Sequence, residues 1–525
     1  MTFALVLAFL AITAIGVPLF LLFGAASMVL FSLDDGGTIT SIAIDVFSEK
    51  FADSPTLVTI PLFTISGYLM AEGGTPRRLI KLSRALLGWM PGGLAIVCLC
   101  TSAFFTTFTG GSGITIVAIG GLLMPALLQE GYPKRFSLGL ITTAGSLGIM
   151  FPPALPLILY GIVANILIDK LFLAGLVPGL LTVITLCVYA GIVGTRAKVE
   201  RVPFEVKRAF EAVWESKWEL GLPIVVVGGM ATGLLRVYEA SAFTGLYVLL
   251  VESFIYREID LRKDLPRIIR ESMTLVGAIL AILSTAIGFT GYLIQAQVPM
   301  KLLAMMEVFI TSKFMFLLVL NVFLLLAGMV MEIFGAIFVV VPLIVPIATH
   351  FGIDPYHLGI TFLVNLEIAY LAPPLGLNLI ISSFRFGEPV TNVYRAVLPF
   401  IAVLAITLLV TTYIPSLSTY LPSLSSSQDL SPGAPGGPVP GALPEVGDDG
   451  VDLDDLDKGE TLEDLDNLTL DDLEKPAEAP AANAAPDEQT PAAAPAVPAG
   501  APSEAEEAPP APQEKRSRRH RRSRD

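Results

Sequence analysis

The chain alternates long apolar runs with short polar breaks, and two of those runs are interrupted in the same way. GIMFPPALPLILYG (Gly148 to Gly161) and AYLAPPLGLNLIISS (Ala369 to Ser383) each carry a Pro-Pro pair inside apolar sequence. A displacement of 221 residues carries Pro125 onto Pro346, Gly131 onto Gly352, Pro152-Pro153 onto Pro373-Pro374, and Pro178 onto Pro399. Apolar stretches fall near 3–15, 17–31, 57–72, 92–128, 137–168 and 172–194, then near 219–235, 239–256, 271–295, 313–349, 357–384 and 396–414. The fourth stretch of each half is broken, by Thr109-Gly110-Gly111-Ser112-Gly113 in one and Gly328-Met329-Val330-Met331-Glu332 in the other. Matching interruptions in two halves of a hydrophobic chain are the signature of a secondary transporter.

The pattern therefore predicts an all-α polytopic membrane protein built from two repeats, each with a re-entrant hairpin and a Pro-broken helix. The first repeat is expected over 1–200, with its hairpin near 92–128 and broken helix near 137–168. The second is expected over 201–421, with the equivalent features near 313–349 and 357–384. Irregular backbone at membrane depth is tolerated only where it is buried in protein or lines a cavity, so both interruptions are expected to do one or the other.

Composition agrees. Hydrophobic residues make up 54% of the chain and the mean hydropathy is +0.71, too apolar for a solvated globular surface. Ala4 to Leu33, Leu171 to Gly194 and Ala396 to Thr412 approach or exceed the roughly 20 residues of a bilayer span. No basic residue precedes Lys50, and the first run is too long for a signal-peptide core, so it is read as retained.

Charge is segregated. Of 47 acidic and 33 basic residues, 23 and 9 lie between Asp429 and Asp525, leaving the membrane body with 24 of each. The stretch 422–525 is Ser-, Gly-, Pro- and Ala-rich and cannot bury enough apolar surface to offset chain entropy, so it is expected to be a disordered acidic tail with a basic end. Within it, Leu453, Leu456, Leu462, Leu465 and Leu468 stand at multiples of three; an acidic docking segment and a solvated linker are both compatible with that spacing. If both broken stretches are hairpins, the loops with Arg77 to Arg84, Lys134-Arg135, Arg196 to Arg208, Arg257 to Arg270, and Arg385 with Arg395 fall on one side. Lys50, Arg236, Lys301 and Lys313 remain on the other. Each half then has an odd number of spans and the repeats are inverted, with the basic side cytoplasmic and both termini outside.

A helix broken by Pro-Pro frees backbone carbonyls and N–H groups, which cost several kcal/mol each in hydrocarbon if left unmet. Free carbonyls and helix C-termini suit Na⁺ or H⁺, and helix N-termini suit a carboxylate. Ion ligands are sought at Thr109, Gly110, Ser112, Gly113, Gly145 and Ser146 in the first half, and at Gly328, Met331, Glu332 and Asn365 in the second. Substrate contacts are sought at Ser112, Thr143, Pro152, Pro153, Glu367, Pro373, Pro374 and Asn378. Small residues here also serve close helix packing, whereas Glu332 and Glu367 are ionisable at membrane depth and point to function. Arg236 and Glu239 are expected at a locally paired turn. There is no phosphate-binding loop, no HExxH, no nucleophile beside a base, and no partner expected for His350, His357 or His520. Cys98, Cys100 and Cys187 suggest neither a disulfide framework nor a metal site. Nothing supports an enzyme, and no nucleic-acid partner is expected.

IPLFTISGYLMAEGG (Ile60 to Gly74), RALLGWMPGGLA (Arg84 to Ala95), FPPALPLILYG, LFLAGLVPGLL (Leu171 to Leu181) and GIDPYHLGITFLVNLEIAYLAPPLGLNL (Gly352 to Leu379) resemble the large membrane subunit of tripartite ATP-independent periplasmic (TRAP) transporters, the DctM-like family, over residues 1–421. The resemblance implies Na⁺-coupled symport by an elevator mechanism in the inner membrane, with no cofactor beyond the coupling ion. It also implies a separate small four-helix membrane subunit, a periplasmic binding protein, and organic-acid substrates such as dicarboxylates, sugar acids and keto acids. The family's hairpin and broken-helix positions carry over onto Gly110 to Gly113, Gly145 and Ser146, Gly328 to Glu332, and Asn365 to Asn378. Ala154 stands where the family has a small polar residue, the first tip reads GGSGIT rather than a Ser-Gly-Ser type, and the tail is outside the pattern. Two alternatives remain at this level: a stand-alone ion-coupled carboxylate carrier, and a channel-like or scaffolding membrane protein that recruits partners through its tail.

Overall fold

The computed structural model describes residues 17–33, 55–199, 203–307, 309–310, 312–373 and 376–426. The first apolar stretch (3–15), Pro374 and the tail beyond residue 426 lie outside the described residues. Among these residues there is no strand.

The helices of the first half are α1 (Leu19–Leu33), α2 (Thr59–Glu72), α3 (Thr75–Leu87), α4 (Gly93–Thr109), α5 (Ser112–Gln129), α6 (Lys134–Ala144), α7 (Leu155–Ala164) and α8 (Ile168–Arg196). Those of the second are α9 (Val206–Glu215), α10 (Lys217–Ala231), α11 (Val237–Leu250), α12 (Asp264–Gln295), α13 (Val298–Glu307), α14 (Lys313–Val330), α15 (Ile333–His350), α16 (Pro355–Ala369), α17 (Leu377–Phe386), α18 (Val390–Tyr413) and α19 (Ser416–Ser426). The displacement that aligns the prolines also aligns the helices: it carries Ser112–Gln129 onto Ile333–His350 end for end, and Leu155–Ala164 to within one residue of Leu377–Phe386. Helix α19 runs past the expected edge of the body at residue 421.

Among the described residues, five helices are long and apolar enough to cross a membrane, and the broken segment made by α6 and α7, bent by 44°, makes a sixth. Fewer full-length spans result than the apolar stretches suggest, because the chain divides its hydrophobic length among 10- to 17-residue pieces such as α4 and α17.

The direction of each piece follows from contacts at its ends. Arg84, before α4, pairs with Glu130, after α5, at 2.7 Å, so the first hairpin begins and ends on one face. Lys134, at the start of α6, pairs with Glu388, beyond α17, and holds that carboxyl below its ordinary range. Arg135 donates to the carbonyl of Arg395 at 2.6 Å, so α6 starts, and α17 ends, on this same basic face. Across the molecule, Lys313 at the start of α14 donates to Gly352 O, after α15, at 2.8 Å. Tyr160 near the end of α7 donates to Pro355 O at the start of α16, at 3.4 Å. The second hairpin thus opens on the opposite face, and the two broken segments run antiparallel.

The halves are interlocked. Helix α5 packs on α17 and α15 on α7, while α18 packs on α6 and α8 on α16. Apart from this crossing, α1 and α2 pack on α12, and α2 also on α11.

Helix α3 is fastened by a buried ionic cluster. Arg78, 7% exposed, reaches Glu219 at the start of α10, Glu252 beyond α11 at 2.7 Å and Glu258 at 2.6 Å, with its guanidinium 3.6 Å over the Tyr256 ring. Thr75 donates to Glu252 Oε1 at 2.6 Å. Arg236 and Glu239 form the expected local turn, Glu239 accepting from the Arg236 N–H at 2.8 Å as a helix cap.

Candidate functional site

Each hairpin tip meets the break of its own half. In the first half, α4 ends at Gly110, whose φ of +62° a side chain would strain, and a Cβ there would come within 2.7 Å of Leu155, the first residue of α7. The broken helix leaves α-geometry at Gly145, passes through a short 3₁₀ turn (Leu147–Met150) and the cis Pro152-Pro153 bond, then restarts at Leu155. Pro152, Pro153, Thr143 and Ser146 are buried there.

A hydroxyl cluster ties the pieces together. The Thr106 Oγ1 of α4 lies 2.8 Å from Thr115 Oγ1 of α5 and 3.1 Å from the freed carbonyl of Gly145. Thr109 Oγ1 and Thr143 Oγ1 are buried without a hydrogen-bond partner. Ser112 is the first residue of α5, after the Gly111 cap position, and Ser146 Oγ donates to Thr143 O at 3.3 Å. Gly113 faces α17, where a Cβ would meet Ile381 at 2.8 Å.

In the second half, Met331 and Glu332 form the tip. The Ile333 N–H that opens α15 donates to Tyr370 OH at 3.1 Å, tying tip to break. Glu332 occupies the position before α15 in extended backbone. Gly328 is a packing glycine: a Cβ would come within 2.6 Å of both Ala369 and Leu366.

Polar partners are richer here. Asn365 Nδ2 donates to Asn321 Oδ1 of α14 at 2.7 Å and to Thr361 O at 2.8 Å, and Asn321 Nδ2 donates to Thr412 Oγ1 of α18 at 3.2 Å. Asn365 Oδ1, Thr361 Oγ1 and both carboxylate oxygens of the fully buried Glu367 have no hydrogen-bond partner. Asn378, second residue of α17, donates to Thr142 O at 3.3 Å and leaves Oδ1 free. Pro373 lies in the break itself.

The described sequence candidates thus fall about two tip-and-break regions of differing chemistry, Asn378 reaching across to Thr142 of the other half. The 221-residue displacement carries Thr106, Thr115 and Gly145 onto Ala327, Ala336 and Leu366, and Ser146 onto Glu367. The hydroxyl cluster therefore belongs to the first half alone, and the buried carboxylate to the second.

Thr106, Thr115, Asn321, Thr361, Tyr370 and Thr412 were not singled out in the sequence. Asn321 had a readable signal, a lone amide in the apolar run KFMFLLVLNVFLLL; the threonines had none. Two histidines do have partners. His357 Nε2 lies 3.1 Å from Thr412 O and Nδ1 2.7 Å from Ser418 Oγ, and His350 meets Glu307 at 2.8 Å. All three partners come from other helices, which is why the local sequence did not show them.

The oxygens left over fit a small hard cation, which takes carboxylate, carbonyl and hydroxyl ligands. A fully buried carboxylate with no partner costs several kcal/mol as an ion unless a cation or proton accompanies it. Among the described residues no group of three His, Cys, Asp or Glu is placed to hold a transition metal. The N-termini of α5 and α7 lie side by side through Gly110 and Leu155, and α17 passes the first tip at Ile381. No Lys or Arg occurs in 93–129, 136–168, 314–349 or 356–384, so helix N-termini and hydroxyls are what this region offers an anion.

Residues 6–417 match the family model described as tripartite ATP-independent periplasmic transporter, DctM component. The chain is 36% identical over 396 residues, 75% of its length and 91% of the relative's, to the C4-dicarboxylate TRAP transporter large permease protein DctM of Pseudomonas aeruginosa. It is 34% identical over 405 residues, 77% of its own length and 63% of the relative's, to the isethionate TRAP transporter permease protein DctMQ of Oleidesulfovibrio alaskensis. The 2,3-diketo-L-gulonate TRAP transporter large permease protein YiaN of Escherichia coli is 29% identical, with 77% and 95% covered. In fold, the chain resembles the crystal structure of the Alcanivorax borkumensis YdaH transporter, with a TM-score of 0.55 at 14% identity, covering 78% of this chain and 97% of that one.

Proposed function

The chain belongs to the DctM family of TRAP transporter large permeases, and from that premise we propose that it carries a small organic acid, a C4-dicarboxylate or related carboxylate, across the inner membrane in symport with Na⁺. It is a transporter subunit and not an enzyme. The observation that carries the reading is the pairing of each hairpin tip with the break of its own half, one junction rich in hydroxyls and the other holding Glu367.

In this reading Na⁺ draws on Thr109, Gly110, Ser112, Gly113, Gly145 and Ser146 in the first half, with Thr106 and Thr115 supporting them. In the second it draws on Met331, Glu332, Asn365 and the Glu367 carboxylate, while Gly328 serves by allowing close packing. The substrate carboxylate sits between the junctions, held by the N-termini of α5 and α7, Ser112, Thr143 and Asn378, with the Pro152-Pro153 break keeping the α7 N-terminus free. Bound cations offset the negative charge of Glu367 and of the substrate, so neither enters alone.

The interlocked hairpins and broken helices move as one body in an elevator stroke against α1, α2, α11 and α12. A separate small membrane subunit and a periplasmic binding protein complete the system, and surrounding lipid is its remaining partner. The test is uptake of labelled C4-dicarboxylates into proteoliposomes holding the chain, its small subunit and the binding protein. Uptake driven by an inward Na⁺ gradient and abolished when Na⁺ is replaced by K⁺ is expected; equal uptake in both salts would overturn the coupling.

A further inference from the structure

A groove of about 820 Å³ runs along the outer side of α8, between it, α4 and the turn before α4. Leu180, Ile184, Val188 and Ile192 are 52%, 58%, 59% and 46% exposed. They line it at intervals of four residues, so they form one stripe along the helix. The next position in that series is Arg196, which with Thr195 makes the polar end of an otherwise apolar wall. Opposite stand Met90, Ile96 and Cys100.

Arg196 lies on the basic face, because a Cβ at Gly194 would run into Gly92, in the turn before α4. No carboxylate among the described residues pairs with it. At a rise of 1.5 Å per residue, Leu180 stands about 24 Å from Arg196 along the axis, deeper than the roughly 15 Å of one leaflet of hydrocarbon, so a chain reaching from headgroup level to the bilayer centre would lie wholly along the stripe. The groove is thus long enough for one acyl chain, with an apolar lining and a cation at its basic-face end.

We propose that this groove binds an anionic phospholipid, one acyl chain lying along the α8 stripe and the phosphate meeting Arg196. Charge argues for the occupant: an unpaired cation at the basic-face end of an apolar groove between membrane helices suits an acidic headgroup over a zwitterionic one. The contact fastens α8 and α4 to each other through lipid beside the first hairpin. It is independent of which acid or cation the transporter carries.

The experiment is native mass spectrometry of the full chain, alone and with its small membrane subunit, titrated with phosphatidylglycerol or phosphatidylcholine of identical chains. Phosphatidylglycerol should be retained about five-fold better than phosphatidylcholine. Arg196→Gln should erase the preference and Arg196→Lys should keep it. Val188→Trp, which places a large ring in the middle of the stripe, should fill the groove and reduce retention of both lipids. Equal retention of the two lipids by the native chain, or an unchanged preference in Arg196→Gln, overturns the proposal. Displacement of the lipid when the small subunit binds would identify the groove as a subunit contact and overturn it as well. If Arg196→Gln does not fold, the Val188→Trp and Arg196→Lys measurements decide by themselves.

Discussion

Asn365 donates a hydrogen bond to Asn321 at 2.7 Å, and that bond joins the broken helix of the second half to the first arm of its hairpin. Both side chains are buried, 0% and 4% exposed, in sequence that is otherwise apolar. Removing one partner leaves a buried amide unmet, at about 1–3 kcal/mol, whereas replacing both with apolar groups costs less than the two losses combined. Thermal unfolding in detergent should show Asn321→Leu and Asn365→Leu each destabilising, and the double variant losing less than their sum. Additive losses would mean that the two amides act separately.

Glu367 is the buried carboxylate without a partner. Replacing it by glutamine removes the charge and keeps the shape, so Glu367→Gln should insert normally while its uptake loses at least about ten-fold in apparent Na⁺ affinity. The factor corresponds to about 1.4 kcal/mol, modest beside the cost of burying an unaccompanied ion. A Na⁺ titration of transport in proteoliposomes measures it, and an unchanged half-saturation would take Glu367 out of the ion path.

Thr106 binds together both hairpin arms and the Gly145 carbonyl. Thr106→Val keeps the volume and deletes the hydroxyl, whose one proton is shared between Ser102 O at 2.8 Å and the Gly145 carbonyl at 3.1 Å and which Thr115 also meets. Uptake should fall several-fold while thermal stability drops by about 1–2 kcal/mol. Its counterpart in the second half is already Ala327, so Ala327→Ser should change neither quantity by a comparable amount. Transport rates and melting curves of the two variants make the comparison.

Arg78 meets three carboxylates. Breaking a buried ion pair by removing one partner costs about 3–5 kcal/mol, so Arg78→Ala should lower the melting temperature more than any other single change considered above. Arg78→Lys should recover only part of the loss, because an ammonium cannot present the guanidinium fork to Glu219, Glu252 and Glu258 together. Full rescue by lysine would reduce the cluster to a simple charge balance.

The fold was legible in the chain because its features are local and doubled. Pro152-Pro153 and Pro373-Pro374 interrupt apolar runs that anyone can count, and the glycines of the first tip stand beside the break they serve in space. The partnerships were not legible. Arg78 finds Glu219 across 141 residues and Glu258 across 180, and Asn378 finds Thr142 across 236; nothing in the surrounding residues encodes such distances. Gly328 is a glycine at a tip in the sequence, but the neighbours Ala369 and Leu366, which leave no room there for a side chain, come from another helix and were not readable.

The exchange of helices between the halves has a consequence for how the chain can be divided. Since α5 lies on α17, α15 on α7, α18 on α6 and α8 on α16, no half encloses its own junction. A half made alone therefore leaves those helices without the faces that cover them. Fragments should show that dependence: a piece ending after α8 and a piece beginning at α9 should accumulate in membranes when made together and be degraded when made apart.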